Sequence, residues 1–355
     1  MTFAVPPDMR AAVWRGGGEV AVERVPVPAV GPGELLVRVE ACGLCPTDIK
    51  KIDLALCAPP VILGHETAGA VVVAGEGRGE WLGRRVAVYH HVPCRACRFC
   101  GLRLYSQCPG YRRTGTTAGF APAGGGWAEY VKVLPWIVDG GGVVAAPEGM
   151  PRETVILMEP VNTCLRCVRC LPPPPGTVVI LGLGPIGLML AALAARDGWN
   201  VLAVEPLQER RIQAGRFGAG EVFAPTDDLA GRLRARCAPD GPDAVIAATE
   251  AEAAIGAGLA ALRPGGALIL FAHTRRGQPL TIDGGEIGMR EKHITGSYSS
   301  SIDLNGAVLE ALGDARVPWE RLVTHVFPLG EINAALALAR RPRDGSLKIA
   351  VAPEN

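Results

Sequence analysis

The sequence predicts two domains of different class: a small, mostly antiparallel, barrel-like β domain and a doubly wound, parallel α/β domain. Three observations carry this. The length of 355 residues fits about two domains of ordinary size, near 100–200 residues each. The first half consists of short β-like runs broken by glycine and proline. The second half alternates apolar strand cores with helical segments.

Taken in order, the β-like runs are "RAAVW", "EVAVERV", "ELLVRVEA", "AGAVVVAG", "RRVAVYH" and "WAEYVKV". Their spacing suits antiparallel strands joined by tight turns. After "PPPPGT" the pattern changes to "VVILGLG", "NVLAVE", "DAVIAAT" and "GALILFA", which read as buried strands. Segments such as "PIGLMLAALAARDG" and "PLQERRIQAGRFGA" lie between them with helical patterning. A tail of mixed short elements ends in "LKIAVA", and no internal repeat is present.

Composition narrows the function. Apolar residues make up 48% and the net charge is +1, so neither a nucleic-acid nor a membrane-surface partner has an electrostatic basis. Leu171 to Ala195 carries no charge, but its glycines and prolines divide it into a strand, a turn and a buried helix rather than a membrane span. "MTFAVPPDMRAAVW" has no export pattern. The expected location is the cytoplasm, where eleven cysteines suggest metal before disulfide.

Two runs read Cys-x-x-Cys-x-x-Cys. The first, Cys94, Cys97 and Cys100, is completed by Cys108 in a loop rich in turn residues. Four thiolates with no open position suit a structural zinc ion. An iron–sulfur cluster also takes four cysteines, though its usual spacings differ. The second run, Cys164, Cys167 and Cys170, lies in "EPVNTCLRCVRC", which reads as a helix. There its outer cysteines stand about 9 Å apart along the axis, whereas sulfurs sharing one zinc lie roughly 4 Å apart. These thiols are expected to pack.

"VVILGLGPIGLML" places Gly182, Gly184 and Gly187, with Pro185 and Ile186, between a strand and a helix. This spacing lets backbone approach a pyrophosphate at a helix N-terminus. Glu205 ends the next strand, about twenty residues on, where an acid holds ribose hydroxyls. Its charge opposes a 2′-phosphate and favours NAD; Arg210 and Arg211 keep NADP open, and Arg210 also suits a place along the adenosine.

The remaining chemistry lies in "CGLCPTDI", "GHETAGAV" and "MEPVNT". Cys45, His65 and Glu66, with Glu159 far along the chain, are a mixed S/N/O donor set that leaves room for water or substrate, although singly Cys45 also reads as a core thiol, His65 as a hydrogen-bonded strand residue and Glu159 as a helix N-terminal acid. Their order, with the four-cysteine loop and the glycine turn, resembles the zinc-containing alcohol dehydrogenases of the medium-chain dehydrogenase/reductase superfamily over nearly the whole chain. The resemblance implies a GroES-like catalytic domain, 1–160 and 296–355, interrupted by a Rossmann NAD-binding domain, 161–295, with the structural zinc lobe near 93–110. It implies two Zn²⁺ per chain, with Cys45 and His65 as catalytic ligands and Glu66 beside the metal and able to coordinate it, directly or transiently. Glu159 stands where classical members carry cysteine, as in the sorbitol-type and L-threonine enzymes, and binds directly or through water. Thr47 matches the hydroxyl relay for the substrate proton, Asp48 the carboxylate that orients His65, and Thr163 and Ile186 positions against the nicotinamide. Pro46 departs from the usual glycine.

In "YHHVPC", His90 and His91 occupy a pocket-lining region of the family, and an imidazole pair suggests a polar substrate. His91 also matches a histidine of L-threonine dehydrogenases, whereas "EPVN" differs from their usual pattern. Trp127 either walls the pocket or packs. The reading that follows is a homodimeric or homotetrameric, zinc- and NAD-dependent dehydrogenase of a small secondary alcohol: a polyol, sugar or cyclitol, with L-threonine the alternative. A zinc-stabilised NAD(P)-binding redox sensor is the non-enzymatic alternative, and the full set of catalytic donors argues against it.

Overall fold

Strands form between the glycines and prolines of the first third of the chain. A computed structural model describes residues 4–89, 91–112, 124–272, 277, 279–343 and 345–354. Strands β1 (Asp8–Trp14) and β2 (Val20–Pro26) pair antiparallel, with Trp14 opposite Val20. The reversal between them uses Gly16 and Gly17 at φ of 96° and 85°, a region open to glycine and costly for side chains. Strand β3 (Leu35–Gly43) runs into helix α1 (Pro46–Asp53). Then come β4 (Val61–Ile62), β5 (Glu66–Ala74), β6 (Arg85–Val88), β7 (Tyr130–Val133) and β8 (Val143–Ala145). Strand β4 joins the far side of β1, making a three-stranded sheet.

Helix α2 (Met158–Val168) precedes the parallel sheet. Its strands are β9 (Thr177–Leu181), β10 (Asn200–Val204), β11 (Glu221–Phe223), β12 (Ala244–Ala247), β13 (Ala267–Leu270) and β14 (His293–Gly296). Helices α3 (Pro185–Arg196), α4 (Gln208–Ala214), α5 (Leu229–Arg236) and α6 (Glu252–Ala261) alternate with them. The order β11-β10-β9-β12-β13-β14 is parallel at every pairing. It is the doubly wound dinucleotide-binding arrangement expected from the alternating pattern. The uncharged run from Leu171 resolves into β9, the glycine turn and α3, whose Leu188 to Ala194 are all buried. Among the described residues no helix is long and apolar enough to cross a membrane.

The chain then returns to the first unit through α7 (Asn305–Leu312), β15 (Val323–Pro328), α8 (Ile332–Arg340) and β16 (Lys348–Ala352). Strand β16 pairs antiparallel with β3, setting Ala350 opposite Gly43, and parallel with β15. The second sheet is therefore β15-β16-β3-β5-β6-β8, with β7 also on β3. Two compact units result: Met1–Pro160 with Ser300–Leu312 and Trp319–Asn355, and Val161–Ser299 with Gly313–Pro318. The first is cored by Trp14, Leu63, Trp127, Ile332 and Ile349, the second by Val179, Leu202, Val245 and Leu268. Each such buried side chain contributes about 1.5–3 kcal/mol relative to exposure.

Candidate active site

The site grows from the pairing of β3 with β5. Their antiparallel register sets Gly43 opposite Glu66. Residues just past the end of β3 thus meet residues at the start of β5. Cys45 follows β3 in extended conformation and caps α1, and Pro46 takes the first helical position. Proline suits that position because its missing N–H has no partner to lose. The proline, where the resembled family has glycine, therefore starts the helix and leaves Cys45 at its cap. Gly64, at φ +93°, turns the chain into β5, and a Cβ there would meet the Trp127 ring at 2.5 Å and Cys42 Sγ at 2.8 Å.

The donor atoms of Cys45, His65 and Glu66 lie within 4.8 Å of one another. Asp48, on the first turn of α1, is fully buried and lies 3.1 Å from His65 Nδ1. A neutral ring with its Nδ1 proton directed at Asp48 would have the Nε2 lone pair as its donor to a metal. Burial works against a charged imidazole, yet Asp48 and Cys45 hold the His65 pKa well above its ordinary value. Burial likewise opposes the Asp48 carboxylate, but His65 and Lys51 keep its pKa low. Thr47 is exposed beside Cys45.

Glu159 is the second residue of α2, whose start is anchored by the Tyr89 hydroxyl donating to Met158 O at 2.8 Å. Glu159 stands outside the group of three mutually close donors. It is near enough, however, for its charge to interact with His65, Glu66, Lys348 and Asp48. Burial pushes its carboxyl up to about 7, with Glu66 and Asp48 adding to the rise against His65 and Lys348. Thiol, imidazole and carboxyl groups so gathered, with one carboxyl held high by burial and like charge, fit a divalent cation such as zinc.

Two residues here carry no motif. Lys348, on β16, is buried, and its Nζ donates to Glu66 and, at 3.0 Å, to Leu44 O. Burial alone would lower its pKa, but Glu66 and Cys45 raise it. Gly43 makes room for this pair, since a Cβ there would stand 2.0 Å from Glu66 Oε2 and 3.0 Å from Lys348 Cε. A lone lysine in "LKIAVA" gives no sequence signal.

The four-cysteine lobe is assembled. Cys94 and Cys108 sulfurs are 3.4 Å apart, Cys97 and Cys100 3.6 Å, and Cys94 and Cys100 3.9 Å. Tetrahedral zinc–thiolate geometry requires about 3.8 Å, so this cluster fits zinc. The backbone N–H of Ala96, with Cys108 and the Cys97 backbone, lowers the Cys94 pKa to about 6. Burial pushes Cys100 to about 12. Tyr105 bonds Asp303 at 2.6 Å and Tyr111 bonds Ser300 O at 2.9 Å, tying the lobe to the segment before α7.

His91 stacks on Tyr111 with ring centroids 4.5 Å apart, and His90 lies outside the described residues. Trp127, expected as a pocket residue or a packing one, is a core residue. It is 0% exposed and lies against Gly64 and Cys42. Cys164 and Cys167 are buried on α2 and Cys170 is exposed just beyond it. Among the described residues these three form no metal-donor group.

In the second unit, Gly182 takes φ +92° and Gly184 caps α3 with Pro185 at its start. A Cβ on Gly187 would stand 1.9 Å from Gly182 O, so only glycine permits this packing of turn on helix. Ile186 is half-buried on the first turn of α3, and Thr163 half-buried on α2. Glu205 follows β10 and is buried; its carboxylate accepts Leu183 N–H at 2.7 Å and Leu207 N–H at 3.0 Å. It thus braces the glycine turn, a contact the spacing rule did not foresee. An Arg210 nitrogen lies 3.7 Å from where a Gly184 Cβ would be, while Arg211 donates to the carbonyls of Glu205 and Pro206.

Comparison with known proteins shows the family. Residues 31–148 match the alcohol dehydrogenase GroES-like domain, and 185–313 match the zinc-binding dehydrogenase domain. An L-threonine 3-dehydrogenase of Pyrococcus furiosus is 32% identical over 255 residues, 70% of each chain. The chain belongs to the medium-chain zinc dehydrogenase family. The sorbitol dehydrogenase of Bacillus subtilis (strain 168), another relative, is 28% identical across 99% of each chain. A solved structure described as a zinc-binding dehydrogenase of Sinorhizobium meliloti 1021, bound to NADP, superposes with a TM-score of 0.87 at 26% identity, covering 98% of this chain and 99% of that one. This medium-chain zinc dehydrogenase is accordingly an oxidoreductase with a GroES-like and a Rossmann-type unit.

Proposed function

We propose that the chain oxidises a secondary alcohol of a polyol, sugar or cyclitol to a ketone with NAD⁺ as hydride acceptor, binding one catalytic and one structural zinc ion. The balance is alcohol plus NAD⁺ giving ketone, NADH and a proton. The single observation that supports it most is the convergence of Cys45, His65 and Glu66 donor atoms, with Asp48 behind His65 and Glu159 nearby.

Zinc bound there supplies a Lewis acid that makes a substrate hydroxyl easier to deprotonate. Cys45, His65 and Glu66 would hold it, with Glu159 joining directly or through water. Asp48 fixes the His65 ring and its tautomer, so the lone pair stays aimed at the cluster. Thr47, exposed at the start of α1, offers a hydroxyl to take the substrate proton towards solvent. Burial of Asp48, His65 and Glu66 keeps water from weakening these interactions.

Glu205 supports NAD, because a carboxylate at the end of β10 repels a 2′-phosphate. Arg210 and Arg211, and the NADP in the Sinorhizobium meliloti structure, support the opposite preference. His91, three residues before Cys94, and the 32%-identical relative favour L-threonine as a second reading. A panel of polyols, cyclitols, sugars and L-threonine, each with NAD⁺ and NADP⁺ and read by cofactor absorbance, tests all three. Turnover of polyols with NAD⁺ is expected; no turnover of any hydroxylated compound would defeat the proposal.

A further inference from the structure

Glu159 lies far along the chain from Glu66, yet its charge interacts with Glu66 and His65. A strand register brings the two regions together. Thr67 on β5 stands opposite Val88 on β6, so Glu66 and Tyr89, the next residues in opposite directions, sit at neighbouring strand ends. The Tyr89 backbone is held from the other side as well. Its N–H donates to Gly142 O at 2.6 Å, and a Cβ on Gly142 would stand 2.7 Å from Tyr89 O. From this fixed base the side chain, 1% exposed, reaches α2, where its hydroxyl donates to Met158 O at 2.8 Å. Met158 begins α2 and immediately precedes Glu159.

That bond is not a helix cap. The carbonyls left without partners in a helix lie at its C-terminal end, and Met158 is at the other. We propose that Tyr89 is a positioning residue, a strut between the strand end beside Glu66 and the helix turn that carries Glu159. It sets where the Glu159 carboxyl stands relative to the catalytic metal. This rests on the reading that Cys45, His65 and Glu66 hold that metal and that Glu159 joins them directly or through water. Phenylalanine at 89 would keep the buried ring and remove only the tie to Met158, leaving the first turn of α2 free to shift away from β6.

The test replaces catalytic zinc by Co²⁺ in the full-length enzyme, with zinc retained in the four-cysteine lobe. Chelator competition reports affinity, and the visible d–d bands report coordination. Tyr89→Phe is expected to lower cobalt affinity about tenfold, the scale at which groups that orient metal ligands act, and to shift the bands. Glu159→Gln should lower the affinity at least as much. The double variant should then bind cobalt as Glu159→Gln alone does, because the tyrosine acts through the glutamate.

A tyrosine that merely packs would loosen the site whether or not Glu159 is present. Losses that multiply in the double variant therefore overturn the proposal, and so does parent-like affinity in Tyr89→Phe. Tyr89→Met, which fills the space without a donor, takes its place if Tyr89→Phe does not fold, with the same outcomes expected. Failure of the underlying reading looks different: Glu159→Gln itself would bind cobalt as the parent does, and the inference would fall with it.

Discussion

On the proposed reading Asp48 acts on the metal mainly through its contact with His65, and that indirectness sets the size of its effect. Asp48→Asn keeps the volume but removes the charge, and is expected to lower metal affinity or turnover by about 10–100-fold, measured by chelator competition and initial rates. Glu159 has a carboxyl raised to about 7, and His65 is also raised. Both must shed a proton to bind a cation. Metal uptake by metal-free protein should therefore strengthen as pH rises through about 7 and release protons, visible by calorimetry in buffers of different ionisation enthalpy. Glu205 braces the glycine turn and, on the proposed reading, also opposes a 2′-phosphate, and substitution can separate the two. Glu205→Gln keeps an acceptor for Leu183 N–H and is expected to shift the NAD-to-NADP ratio towards NADP. Glu205→Ala should do the same and also destabilise the second unit by about 1–3 kcal/mol, read from urea unfolding. A cofactor ratio unchanged in both variants would remove the ribose assignment.

At the scale of elements, the site depends on how β3, β5 and α1 meet. Gly64→Ala would force a side chain into a left-handed backbone and against Trp127. Strain of this kind costs about 1–3 kcal/mol, and a lowered unfolding midpoint with reduced zinc content is the expected result. Helix α2 shows the complementary case. Its first turn carries Glu159, while Cys164 and Cys167 further along are packing residues. Replacing Cys164, Cys167 and Cys170 together by alanine should leave metal content unchanged. The two cysteine runs differ because one lies in a loop that converges its sulfurs to 3.4–3.9 Å and the other spaces them along a helix.

At the scale of the molecule, the C-terminal return of the chain matters most for chemistry. Strand β16 closes the sheet beside β3 and brings Lys348 to Glu66, and residues 300–303 brace the four-cysteine lobe through Tyr111 and Tyr105. Prolonged chelation should strip the lobe and lower the melting temperature, because an ion bound only to the folded state stabilises it. The purified protein is expected to be colourless, and atomic absorption should return two zinc per chain before chelation.

The sequence by itself determined the fold class and the glycine turn and placed the four cysteines of the lobe in one loop, each of them written in local spacing, whereas Cys45, His65 and Glu66 stood out only through the resemblance to a known family. The alternating strands and helices of the second half were legible because buried parallel strands have near-continuous apolar cores. Lys348, the space vacated at Gly43, the bracing role of Glu205 and the burial of Trp127 were decided only by tertiary structure. Their partners are set by strand register and by which end of a sheet a return strand reaches, and no periodicity within a short window encodes either. A lysine in an apolar strand is equally compatible with an edge and with a buried ion pair. Only the antiparallel seating of β16 on β3 makes it the second.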